Sequence, residues 1–172
     1  LVARRLARYW GITDTEVVYP PTNVESFAPQ EKEKFYLSFS RLTGDKRFDE
    51  IIDAFQQHPD KHLIIGGSGP KEGELKRQAA DMDNIEFRGY LDEKEKRDLL
   101  GRAKALVYAA VNEDFGMVPI EAYASGTPVI GVRDGYTKYQ IRDGVTGVLY
   151  DRGVDTLAAA IGRFEEDGVE AT

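Results

Sequence analysis

The chain has 172 residues, 41% of them hydrophobic and 31% charged, a composition that supports a globular fold with one substantial core. Its formal net charge of −7 argues against nucleic acid or an anionic membrane as a partner, since both want a clustered basic face. With no cysteine and only His58 and His62, a disulfide framework, thiolate chemistry and zinc are all disfavoured, so a metal-free site without a cofactor is expected.

The chain opens on a basic helical pattern in which Leu1, Leu6 and Trp10 alternate with Arg4, Arg5 and Arg8. Residues 1–16 are therefore expected to be a helix and interdomain linker belonging to a longer protein, and residues 17–172 the binding domain. No apolar run is long enough to span a bilayer, and no signal-peptide pattern opens the sequence, which leads to the expectation of a cytoplasmic protein.

From Phe35 onward, short runs rich in aromatic and β-branched residues alternate with helix-period segments. That alternation predicts a parallel sheet covered on both faces. Six strands are expected, at Phe35 to Ser40, His62 to Gly66, Ile85 to Arg88, Ala105 to Ala109, Pro128 to Val132 and Gly147 to Tyr150, each followed by a helix. Phe48, Ile51, Ile52 and Phe55 form one helical stripe, and Leu157, Ile161 and Phe164 form another. Asp92 with Glu95 three residues on predicts a capping box. The fold class is thus α/β, a doubly wound Rossmann-like domain around a six-stranded parallel sheet. These apolar residues are read as core.

Ligands of open parallel sheets bind beyond the carboxyl ends of the strands, so the loops leaving each strand carry the candidates. After the first strand, Arg41 and Lys46 flank Gly44. A planar fork and a point charge so placed suit a diphosphate, and two solvated surface cations fit the spacing equally. After the second strand, Gly66-Gly67-Ser68-Gly69 lets backbone approach a ligand, with Pro70 in the first turn of the next helix and its free amides facing an anion. A tight strand-to-helix turn explains the same residues. The dinucleotide fingerprint is excluded, because its third glycine would fall at Lys71 counted from Gly66 and at Glu72 counted from Gly67. After the fourth strand come Glu113, on the loop, and Glu121, in the first turns of a helix that Pro119 starts near residues 116–118. Both carboxylates can accept hydrogen bonds from ligand hydroxyls in one pocket, with the amides of 116–118 beside them. As an isolated pair, two glutamates at this spacing read as solvated surface.

The run from Glu113-Asp114-Phe115-Gly116 to Glu121, continuing as Ala122-Tyr123-Ala124-Ser125-Gly126-Thr127-Pro128-Val129-Ile130, closely resembles glycosyltransferase family 4. That family's signature is a glutamate, seven residues and a second glutamate, with Phe-Gly inside and Ala-x-x-x-Gly-x-Pro-Val-Ile after. Tyr19-Pro20-Pro21 to Phe27, Ser40-Arg41-Leu42 with Lys46, Gly66 to Pro70, Phe87 to Tyr90 and Asp143 to Gly147 are similar to further family segments in the same order, so the resemblance spans nearly the whole chain.

The resemblance implies the C-terminal, donor-binding half of a GT-B fold, and a retaining transfer from a nucleoside-diphosphate sugar to a saccharide or lipid-linked acceptor held by a separate N-terminal domain. It implies Arg41 and Lys46 on the diphosphate, Glu113 and backbone from Phe115 through Gly116 and Met117 to Val118 on the sugar, Glu121 on the ribose, and the base near Gly67 and Tyr90. The Glu-Asp-Phe-Gly wording is similar to mannosyltransferases of polysaccharide assembly, which suggests GDP-mannose. Any membrane association, peripheral at the inner face, would come through the N-terminal part. Two departures stand out. Ala109-Ala110 replaces a common Pro-Ser, and Gly135-Tyr136-Thr137-Lys138-Tyr139 replaces a Gly-Gly-x-x-Glu element. The second departure keeps a non-catalytic sugar-nucleotide module open, alongside a GT-B epimerase. A nicotinamide-dependent dehydrogenase is disfavoured by the missing fingerprint.

Overall fold

The computed structural model describes residues 2–153 and 156–169; Leu1 of the opening pattern and residues 154, 155 and 170–172 of the expected domain lie outside them. Six strands form one sheet: β1 (Phe35–Phe39), β2 (His62–Gly66), β3 (Ile85–Gly89), β4 (Ala105–Tyr108), β5 (Val129–Val132) and β6 (Gly147–Tyr150). All pairs are parallel, and the spatial order is β3-β2-β1-β4-β5-β6. The helices are α1 (Val2–Trp10), α2 (Phe48–Gln56), α3 (Glu72–Gln78), α4 (Glu93–Arg102), α5 (Met117–Ala124), α6 (Thr137–Gln140) and α7 (Leu157–Asp167). The chain winds outward to β3, returns to the middle, and winds the other way from β4. The order therefore reverses between β1 and β4, and the crevice at such a reversal is where doubly wound sheets bind ligands.

The period-2 alternation of the strands builds a core on each face. Tyr36, Leu63, Ile65, Val107, Val132 and Tyr150 pack under Ile51, Ile52, Phe55, Ile161 and Phe164 of α2 and α7. Leu37, Phe39, Ile64, Leu106 and Leu149 face Leu99 and Leu100 of α4 and Ala122 of α5. Both predicted stripes are buried.

Strand ends differ from expectation by one residue. β1 stops at Phe39 and β4 at Tyr108, β3 runs on to Gly89, and β5 starts at Val129. Pro128 has no amide to give the ladder, though its carbonyl accepts from Leu106 N at 2.9 Å. Pro70 is not in the first turn of α3, because the helix starts at Glu72 after the cap residue Lys71. The amides there are not free either: Lys71 N–H donates to Leu42 O at 3.0 Å and Glu72 N–H to Gly69 O at 3.1 Å.

The predicted cap of α4 is present, with Asp92 Oδ1 accepting from Glu95 N at 2.8 Å. Asp92→Ala is expected to destabilise the chain by about 1 kcal/mol in urea unfolding, with an unchanged denaturant slope.

Candidate functional site

Across the reversal between β1 and β4, the loops after the two strands are tied together. Val111 N–H donates to Asp45 O at 2.8 Å, which sets the 3-10 turn Gly44–Lys46 beside the loop leading to α5. Lys46 Nζ then lies 2.6 Å from Glu113 Oε2, with side-chain exposures of 22% and 16%. Tyr108, at the end of β4, donates its hydroxyl to the same oxygen at 2.7 Å, and the Phe115 amide also bonds the carboxyl. Burial alone would push the Glu113 carboxyl up, but the donors from Lys46 and Tyr108 outweigh it and hold the pKa below the ordinary carboxylate value. Burial first, and then the Glu113 charge, push the Tyr108 phenol upward, so it stays a proton donor. The result is a carboxylate locked in one orientation at the crevice.

The other side of this crevice is a cleft of about 440 Å³ lined by Phe39, Ser40, Arg41, Gly67, Ser68, Gly69, Tyr90, Leu91 and Lys96. Arg41, Gly67 and Tyr90 therefore share one wall system, as the sequence suggests. The Arg41 side chain is exposed and has no hydrogen bond or ion pair with the described residues, so its fork is open to a ligand. Tyr90 is 78% exposed. The two cations do not converge in this structure: Arg41 faces the cleft, while Lys46 is held by Glu113. Gly67 has φ +112°, and a Cβ there would lie 1.8 Å from Ser40 O. The space its missing side chain frees is thus filled by the β1 loop.

Glu113 and Glu121 are held by different lysines, Lys46 and Lys96. Glu121, nearly buried at 9% exposure, bonds Lys96 at 2.9 Å, and Lys96 in turn lines the cleft. The sequence reading missed Lys96; nothing in a lysine on a charged helix face distinguishes it from a solvated one.

Gly116, with φ +77°, caps α5, and its carbonyl accepts from Gln140 Nε2 at 3.0 Å. The amides of Gly116, Met117 and Val118 have no acceptor among the described residues, so the start of α5 presents free donors. Phe115 stacks 5.4 Å from both Tyr19 and Tyr136, closing the rim with aromatic rings. Tyr136 N–H bonds Glu113 O at 2.8 Å, and Gly135 has no room for a side chain against the Glu113 backbone. The altered 135–139 segment, whose last three residues belong to α6, is therefore packed directly onto the site, with Tyr139 64% exposed beyond it.

A larger hollow of about 620 Å³, lined by Pro29, Lys32, Lys104, Tyr123 and Phe164 among others, lies at the opposite ends of the strands. Its lysines are already engaged. Lys32 donates to Gly101 O, Ser125 O and Thr127 Oγ1, and Lys104 to Glu165.

Residues 21–172 match the sequence model of the glycosyl transferases group 1 family. The chain belongs to that family. Among curated relatives, the α-monoglucosyldiacylglycerol synthase of Streptococcus pneumoniae is 34% identical over 77% of this chain and 31% of its own length. The human alpha-1,3/1,6-mannosyltransferase ALG2 is 28% identical over 92% of this chain and 46% of its own. The chain spans less than half the length of these group 1 relatives. The pneumococcal O-GlcNAc transferase GtfA, solved with UDP and GlcNAc, superposes with a TM-score of 0.79 at 25% identity, over 99% of this chain and 37% of GtfA. HepE of Anabaena, solved with UDP and glucose, gives 0.85 at 22% identity, over 96% of this chain and 51% of HepE. The fold is that of the C-terminal domain of a GT-B glycosyltransferase. Among the described residues, no helix is long and apolar enough to cross a membrane.

Proposed function

We propose that residues 17–172 hold a nucleoside-diphosphate sugar at the reversal between β1 and β4, and that a longer protein containing this chain transfers the sugar to a saccharide or lipid-linked acceptor with retention at the anomeric carbon. The observation that carries this reading is the Lys46–Glu113 contact, which joins the β1 and β4 loops at 2.6 Å beside the free amides of α5. A cation, a fixed carboxylate and open amides in one crevice suit a sugar attached to a diphosphate.

In this reading Arg41, Lys46 and the α5 amides stabilise the negative charge on the departing diphosphate, the role a metal would otherwise take, so no metal is required. Glu113 orients the sugar through its hydroxyls. The bond between the anomeric carbon and the β-phosphate oxygen breaks, the acceptor oxygen bonds that carbon, and a phosphate oxygen takes the acceptor's proton. Glu121 meets the ribose, and the base lies between Gly67 and Tyr90. Residues 1–16 lead in from the acceptor-binding part, in a protein working at the cytoplasmic side of a membrane.

GDP-mannose is our first choice of donor, supported by the Glu113 to Gly116 wording and by the similarity to a mannosyltransferase. UDP sugars are the alternative, since the solved neighbours carry UDP. A thermal-shift and calorimetric panel of GDP-mannose, UDP-glucose, UDP-GlcNAc and ADP-glucose decides. At 100 times Kd a bound donor should add about 2.7 kcal/mol, or roughly 5–10 °C in Tm. A silent panel means the site is wrongly placed.

The 135–139 loop favours one second reading, a sugar-nucleotide-binding module without transfer activity, because Tyr139 stands where the family resemblance expects a glutamate. Donor binding without transfer by the full-length protein would select it.

A further inference from the structure

Lys96 Nζ donates to Glu121 Oε1 and to Glu93 Oε1, both at 2.9 Å. The Glu93 side chain is 68% exposed, and a contact of that kind contributes little. The Lys96 and Glu121 side chains keep only 13% and 12% exposure, less than in any other ion pair among the described residues. The Phe27 ring lies 5.8 Å from the ammonium and covers it further. Burial opposes the Lys96 charge, yet the Glu121 contact more than restores it, and the pKa is raised above the ordinary lysine value.

A buried ion pair is a poor stabiliser of a fold, because apolar residues of similar size serve as well. What this pair does is fix a carboxylate beside the nucleotide cleft. One Glu121 oxygen is bonded to Lys96; the other, Oε2, receives no hydrogen bond from the described residues and is not among the buried unpartnered atoms, so it is open to water. A carboxylate pinned by one oxygen presents the other as a preset acceptor for a hydroxyl. Lys96 itself is a weak anion site, since two carboxylates already surround one ammonium and leave the cluster negative. Arg41, on the same cleft and without an ion pair among the described residues, serves the phosphates instead.

We propose that Lys96 is a positioning residue that holds Glu121 so that its free oxygen accepts a ribose hydroxyl of the bound nucleotide; this rests on the nucleoside-diphosphate reading above. The test is calorimetric titration of the chain and of Lys96→Met with GDP, with 2′,3′-dideoxy-GDP and with inorganic pyrophosphate, and with UDP and its dideoxy form in parallel. Lys96→Met is expected to lose on the order of tenfold in affinity for the ribonucleotide and nothing for the dideoxy form or pyrophosphate, so that discrimination between the two nucleotides vanishes. Lys96→Gln, which keeps a donor, should lose less, and it carries the same comparison if the Met variant does not fold. An equal loss for ribo and dideoxy nucleotides, or no loss for either, overturns the proposal. Failure of the unsubstituted chain to bind GDP or UDP at all overturns the nucleotide reading instead, and is told apart by that control.

Discussion

Glu113→Gln is expected to lower sugar transfer by the full-length protein about 10²-fold while leaving nucleoside-diphosphate affinity unchanged or up to severalfold tighter. The asymmetry follows from Lys46. Its ammonium sits 2.6 Å from Glu113 and 3.5 Å from Asp45, so in the proposed reading a diphosphate that recruits it competes with these carboxylates. The amide of Gln is neutral and nearly isosteric. It releases Lys46 to the phosphates but no longer offers the sugar a carboxylate locked by Tyr108 and the Phe115 amide. Steady-state transfer in the full-length protein and calorimetry with GDP separate the two effects. A parallel fall in both would mean that Glu113 supports the loop rather than the sugar. Undiminished transfer would remove it from the site.

The sheet and its helices were legible because burial on two faces imposes both periods on the sequence: Tyr36 and Leu37 go to opposite cores, and Ile51, Ile52 and Phe55 to one. Strand ends were less legible, since a terminal residue such as Ser40 or Ala109 is decided by ladder geometry rather than by side-chain type. The loops bearing Arg41, Lys46, Gly67 and Glu113 could be placed on one rim from the element order alone. Their partners could not. That Lys46 bonds Glu113 while Arg41 faces the cleft, or that Glu121 is bonded to Lys96 of the cleft wall, depends on contacts between residues far apart in the chain. Tyr108 reads as an ordinary strand aromatic until its hydroxyl is seen on Glu113. Tyr19 and Tyr136 stand in segments the sequence singles out, but the meeting of their rings at Phe115 brings together distant parts of the chain and is not legible in it.

Gly67→Ala is expected to cost about 3 kcal/mol or more, lowering Tm by roughly 10 °C. Two costs add: a φ of +112° that side chains rarely adopt, and a methyl group built 1.8 Å from Ser40 O. Relief by a shift of the loop is blocked from both sides, because Gly67 N–H is bonded to Gly89 O at 2.6 Å and Ser40 N–H to Gly66 O at 3.3 Å. Gly73→Ala is the control. Gly73 lies inside α3 with nothing within 4 Å of an added Cβ, so alanine there should stabilise by about 0.5–1 kcal/mol. Urea unfolding of the two variants distinguishes the two explanations of the glycine loop. If Gly67 is glycine so that a ligand can approach, alanine leaves stability near that of the unsubstituted chain and weakens nucleotide binding alone. If it is glycine because the β1 and β2 loops pack backbone to backbone, stability falls first, and binding falls because the cleft that Arg41 and Tyr90 line loses its shape. The contact with Ser40 favours the second. The cleft is then shaped by loop-to-loop packing.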